Sequence, residues 1–178
     1  MRKHRDELTR GDISLILDAA MADDEDYIFL RLLAKTGRRL GEIRYITVGD
    51  INLKDRYIWT RIEKTRREER RKIFIDDTTV VLLQRYIRGL GKDDRIFTMS
   101  LATMKRKPMQ YARKAGLNKH VSCHSFRHYF ITALIKAGWS YDSIRRLTGH
   151  KSITTLAIYD HAGVEIVENR FRDVLRDL

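Results

Sequence analysis

His124, Arg127, His150 and Tyr159 follow one another in the later part of the chain. Arg39 stands far upstream, in Thr36-Gly37-Arg38-Arg39-Leu40-Gly41-Glu42. A tyrosine able to act as nucleophile, with two arginines and two histidines, suits phosphodiester exchange without a metal ion. The scissile phosphate gains negative charge in its transition state. Guanidiniums can clamp its non-bridging oxygens bidentately, and imidazoles can share protons or donate hydrogen bonds. A phenol ordinarily ionises at about 10, and neighbouring arginines would stabilise the phenolate. Each residue alone says little: His124 and Arg127 could be solvated positions of an amphipathic helix, and Tyr159 could pack against Ile153 and Leu156. The ordered set carries the information.

In these residues the chain resembles the catalytic domain of the tyrosine recombinases, the phage integrase and Xer-type group. The resemblance begins at Leu8-Thr9 and runs through Tyr159 and the helix after it. Its most specific stretch is Leu147-Thr148-Gly149-His150, followed by Ser152-Ile153-Thr154-Thr155 and Tyr159. His124-Ser125-Phe126-Arg127-His128 carries Phe126 where the family more often has Leu, and Arg38 stands where an apolar residue is common.

The resemblance implies roles. Tyr159 would form a 3′-phosphotyrosine, and Arg39, Arg127 and His150 would stabilise the pentacovalent phosphorane. His124 would accept or position the tyrosine proton. Lys64, on a hairpin, would protonate the leaving 5′-hydroxyl; it could also be one more phosphate contact. Glu42 would orient Arg39, and Arg38 would face DNA or solvent. Neither cofactor, metal nor ATP is expected, since one phosphodiester is exchanged for another. The implied partner is double-stranded DNA, with self-association to a tetramer on DNA and a largely monomeric state without it. Two other readings stay open: a type IB topoisomerase, and a non-catalytic DNA-binding module with Ser140 to Tyr159 as helix-turn-helix. The family places a helical DNA-clamping domain before this one, and only seven residues precede Leu8. A single catalytic domain over 1–178, lacking that core-binding domain, is therefore expected.

Composition agrees. At 178 residues and 43% hydrophobic, the chain can bury one core. A net charge of +12 points to a polyanion. Arg66, Arg67 and Arg71 on the hairpin, with Lys105, Arg106 and Lys107 downstream, are candidate DNA contacts; the alternative for the downstream stretch is a solvated face. Cys123 is the lone cysteine, so neither a disulfide framework nor a cysteine metal cluster can form. No apolar run is long enough to cross a bilayer, and the expected location is the cytoplasm, at the nucleoid, with no membrane partner.

The elements that must position these residues read as mainly α with a small antiparallel β-sheet, an α+β class. Thr9 to Asp12 predicts a capping box opening a helix through Ile13, Ile16, Leu17 and Ala20. Asp23 to Asp26 predicts a solvated acidic cap on a second helix ending near Gly37. Arg39 would start a short third helix with Glu42, Ile43 and Ile46. From Asp50 to Ile75 the period changes to that of strands, with Glu63 to Lys72 a mobile polar hairpin. Helices are expected again over Thr78 to Arg88, Ser100 to Ala115 and His124 to Ala137. Three more follow, near Ser140 to Leu147, around Tyr159, and from Val164 to Leu175. On the His124 helix, Phe126, Phe130, Ala133 and Ala137 should form the apolar face, with His124, Arg127 and His128 opposite.

Overall fold

The computed structural model describes residues 7–61 and 70–149. Contacts divide the chain into two units, with the boundary between Tyr129 and Phe130.

In the first unit, helix α1 (Arg10–Ala20) opens on the expected capping box: Asp12 N–H donates to Thr9 Oγ1 at 3.1 Å, and Thr9 N–H donates to Asp12 Oδ2 at 2.7 Å. Ile13, Ile16, Leu17 and Ala20 are buried. Helix α2 (Asp24–Thr36) is the central element, buried at every residue from Ile28 to Ala34. Helices α1, α4 (Asp77–Tyr86) and α5 (Leu101–Lys114) pack against it. A helix apolar nearly all round can only be an interior one.

The acidic run is more than a solvated cap. Asp26 is 2% exposed; it accepts the Tyr111 hydroxyl at 2.6 Å and pairs with Lys107. Glu25 accepts the backbone N–H groups of Thr98 and Met99, and Asp24 pairs with Arg85 at 2.6 Å. The run staples the start of α2 to α4, to α5 and to the loop between them. Buried carboxylates persist only with partners of this kind.

Gly37 ends α2 in a left-handed conformation, φ 57°, and α3 (Leu40–Ile43) follows, shorter than expected. Strands β1 (Ile51–Asn52), β2 (Tyr57–Arg61) and β3 (Arg70–Phe74) form a three-stranded antiparallel sheet in chain order. Arg70, Arg71 and Lys72 are therefore strand residues, opposite Arg61, Thr60 and Trp59, rather than part of the hairpin loop. The rest of that hairpin, residues 62–69, lies outside the described residues.

Pro108, inside α5, cannot donate to the Met104 carbonyl four residues earlier. The Cys123 thiol donates to that oxygen instead, at 3.9 Å, and sets the first residue of α6 (Cys123–Lys136) against α5. The faces of α6 differ from expectation. Phe126 is fully buried and Arg127 is 6% exposed, while Ala133 and Ala137 face solvent. Among the described residues of the second unit, the buried apolar side chains are Ile131, Ile135 and, from α7 (Tyr141–Thr148), Ile144. Branched Ile rather than small Ala supplies the packing face because it buries more apolar area. Helix α7 is capped by Ser140 and ends on Gly149 in the left-handed region. No helix among the described residues is long and apolar enough to cross a membrane.

Candidate active site

The α2–α3 turn is the first half of the site. The left-handed turn at Gly37 sends the two following arginines to different environments. Arg39, the N-cap of α3, keeps 38% of its side chain exposed, and its Nη1 lies 3.4 Å from Glu42 Oε1. Glu42 is 2% exposed. It orients Arg39 as expected, and its Oε2 also accepts the Arg39 backbone N–H at 3.4 Å.

Arg38 does not face DNA or solvent. Its side chain is 1% exposed, with Nη1 3.6 Å from Glu42 Oε2 and Nη2 donating to the Lys72 carbonyl at 3.4 Å. Its Nε is buried with no hydrogen-bond partner. Burial pulls the guanidinium pKa down to about 10; Glu42 opposes this, and the positive charges of Arg71 and Arg127 add to it. Arg38 and Arg39 thus share one buried carboxylate, with Arg71 and Arg127 near enough to Arg38 for their charges to act on it. Such a surplus of positive charge favours binding of an anion. Sequence reading missed the burial of Arg38, although one signal was there: Glu42 lies one helical turn from Arg38 as well as from Arg39.

Helix α6 supplies the second half. Ser122 and Ser125 bond reciprocally across its first turn, each hydroxyl accepting the other's backbone N–H. Phe126 in the core fixes the rotation of the helix. Arg127 is thereby turned inward and donates from Nη1 to the Gly37 carbonyl at 2.7 Å. One hydrogen bond ties the second candidate arginine to the turn that carries the first, across ninety positions of sequence. His124 is exposed at the start of α6, and His128 is half-buried.

The candidate DNA contacts separate. Lys105 and Arg106 are exposed. Lys107 is turned onto Asp26, with 17% of its side chain exposed. Lys119 is likewise engaged, with Asp12 at 2.6 Å. Arg71 shares the inner face of the sheet with Thr60, so the outward cations of β3 are Arg70 and Lys72. Lys64, Arg66, Arg67, His150 and Tyr159 lie outside the described residues. Among the described residues, no cluster of His, Cys, Asp and Glu could hold a metal ion.

Comparison with known proteins gives one coherent result. The model of the phage integrase family matches residues 7–165. The tyrosine recombinase XerA of Saccharolobus solfataricus is 32% identical over 170 residues, covering 96% of this chain and 57% of its own length. A crystal structure of XerA recombinase superposes with a TM-score of 0.80 at 25% identity, covering 96% of this chain and 65% of that one. The XerH site-specific recombinase bound to palindromic difH substrate, a post-cleavage complex, shares the fold at TM-score 0.77 and 19% identity, covering 94% of this chain and 53% of that one. The chain thus spans little more than half the length of the curated relative it matches.

Proposed function

This chain belongs to the phage integrase family, and from that membership we propose that it is the catalytic domain of a tyrosine-type site-specific DNA recombinase. The 2.7 Å bond from Arg127 to the Gly37 carbonyl carries the proposal, because it draws together two arginines that sequence alone could only pair by resemblance. Arg39 and Arg127 clamp the non-bridging oxygens of the scissile phosphate, with His150 as a further donor. The Tyr159 oxygen attacks phosphorus and gives its proton toward His124. The bond from phosphorus to the 5′ oxygen breaks, and Lys64 protonates that oxygen. A 5′-hydroxyl of a partner strand then attacks the phosphotyrosine, restoring the tyrosine and resealing the backbone. Bond energy is conserved at each exchange, so the steps need no nucleotide cofactor.

The partner in this reading is duplex DNA, as in the XerH complex with its difH substrate. Lys105 and Arg106, exposed on α5, are proposed phosphate contacts, together with Arg66 and Arg67. Lys107 and Arg71 enter less directly, since one faces Asp26 and the other the Arg38 side of the sheet. Four protomers assembling on DNA at the nucleoid complete the proposal. Tyr159→Phe tests it: the variant should bind DNA as the parent does yet form no SDS-resistant adduct. An adduct formed by the variant would sink the reading. Relaxation of plasmid without recombination would favour the topoisomerase alternative, and a parent protein that binds DNA but never forms an adduct would favour the DNA-binding module.

A further inference from the structure

The outer face of the sheet has no part in these steps. The β2–β3 register sets Tyr57, Trp59 and Arg61 beside Phe74, Lys72 and Arg70. On the opposite face Ile58, Thr60 and Ile73 are buried. The outer face thus consists of aromatic rings and cations, with no carboxylate among its cross-strand pairs.

Phe74 is 69% exposed, and Arg61 and Lys72 are exposed. Tyr57 and Trp59 meet edge to face, centroids 5.7 Å apart at 82°. Lys72 Nζ lies 4.2 Å from the Tyr57 centroid and 5.2 Å from that of Trp59; the Arg70 guanidinium lies 5.7 Å from Trp59. Among the described residues, Asp50 pairs with Arg70, Asp55 is held by Asn52, and Asp93 lines a cleft with Arg61 and Arg70 without pairing to Arg61. Among the described residues, neither Arg61 nor Lys72 has a carboxylate partner.

Rings that hold cations in place remove part of the ordering cost a long basic side chain meets on binding. An exposed row of such cations complements a polyanion. The rings are set edge to face and roofed by cations, which leaves little room for bases to stack between them. The face therefore suits a sugar–phosphate backbone, where contacts are ionic and independent of sequence. In sequence, β2 ends and β3 begins at the two sides of residues 62–69, the segment that holds Lys64, the proposed general acid.

We propose that the outer face of this sheet, through Lys72 held over Tyr57 and Trp59 and through the exposed Arg61 beside it, binds the phosphate backbone of duplex DNA flanking the cleavage point. The inference rests on the reading that the chain works on DNA.

The test measures affinity of the full chain, in the Tyr159→Phe background, for a labelled duplex over a range of KCl concentrations. Lys72→Met keeps the stem over the rings and removes the charge. It should lower the slope of log K against log salt by about 1 and weaken binding about 3- to 10-fold at low salt. Arg61→Met, on the neighbouring strand, should do the same and guards against a local folding defect at either position. Trp139→Phe leaves Trp59 as the remaining tryptophan, and its emission should change on addition of duplex. Parental affinity and slope in both methionine variants would overturn the proposal. So would a Trp59 signal that answers to polyglutamate and not to duplex, which would assign the face to an acidic protein. Adduct formation by the unmodified chain judges the recombinase reading separately. An adduct with unchanged slopes fails the face alone, and reduced slopes without an adduct fail the recombinase alone.

Discussion

Glu42 governs the electrostatics of the site because, among the described residues, it is the carboxylate paired with both Arg38 and Arg39, one oxygen turned to each. Its removal and the removal of Arg38 should therefore have opposite consequences. Glu42→Gln leaves buried positive charge uncompensated and should cost about 3–5 kcal/mol in urea unfolding, the scale for breaking a buried pair. Arg38→Leu restores the apolar type common in the family, removes a guanidinium whose Nε is unpartnered, and leaves Glu42 paired with Arg39. It should be neutral or stabilising in the same measurement. A loss as large as that of Glu42→Gln would mean that Arg38 is a structural strut. Lys64 calls for a different experiment. If it protonates the 5′ oxygen, Lys64→Ala should slow cleavage about 10²–10⁴-fold, the range for general acid catalysis. A 5′-bridging phosphorothiolate, whose thiolate leaves without help, should restore most of that loss, whereas Arg39→Ala should not be rescued. Rescue of Lys72→Ala in place of Lys64→Ala would shift the role along the hairpin.

At the level of elements, the fold is joined by polar staples as much as by its apolar core. The Thr9–Asp12 box that opens α1 also receives Lys119, at 2.6 Å from Asp12 Oδ2, from the segment after α5. Burial by itself would raise the Asp12 carboxyl, but Lys119 and then Thr9 outweigh it and hold the group below its ordinary 3.8. A folded-state pKa below the unfolded one contributes stability that is present above the unfolded value and fades as pH falls through the folded value. Asp12→Asn should therefore lower the melting temperature at neutral pH. The gap from the parent should close as pH drops below about 4. A gap that stays constant down to acid pH would show that the lost stability came from packing. The acidic start of α2 carries the same lesson. Its charge pattern marks a helix N-terminus correctly, yet whether Asp26 meets water or the Tyr111 hydroxyl depends on α5, a long way off in sequence.

At the scale of the whole molecule, a net charge of +12 with Lys105, Arg106, Arg61 and Lys72 exposed leads us to expect that the chain, if it works on DNA as proposed, binds duplex weakly and in a salt-dependent way. The isolated chain should sediment as a monomer, since like charges oppose association, and assemble once DNA neutralises them. In the sequence, Val164, Val167, Phe171, Val174 and Leu175 stand at helical spacing, and we propose them as the contact between protomers on DNA; they lie outside the described residues. Analytical ultracentrifugation with and without duplex checks this, and a tight dimer indifferent to salt in the absence of DNA would contradict it.

Local chemistry was legible in the sequence. Capping residues at Thr9, Asp23, Ser100 and Ser140 announce their helices, because a cap is satisfied within three residues. Alternation from Ile51 to Ile75 announces strands, because the pleat has a period of two. The motif around His150 and Tyr159 points to a family, because those residue types at those spacings have few other uses. Burial of charge was not legible. Arg38 and Arg39 are the same residue type side by side, and Ala133 looked as apolar as Ile131. Only the tertiary structure decides which arginine enters the core, whether Lys107 meets a phosphate or Asp26, and that Arg127 closes onto Gly37. Each of these depends on what another element, tens of residues away, brings to the same few ångströms, and desolvation is set by that neighbour and not by the residue itself.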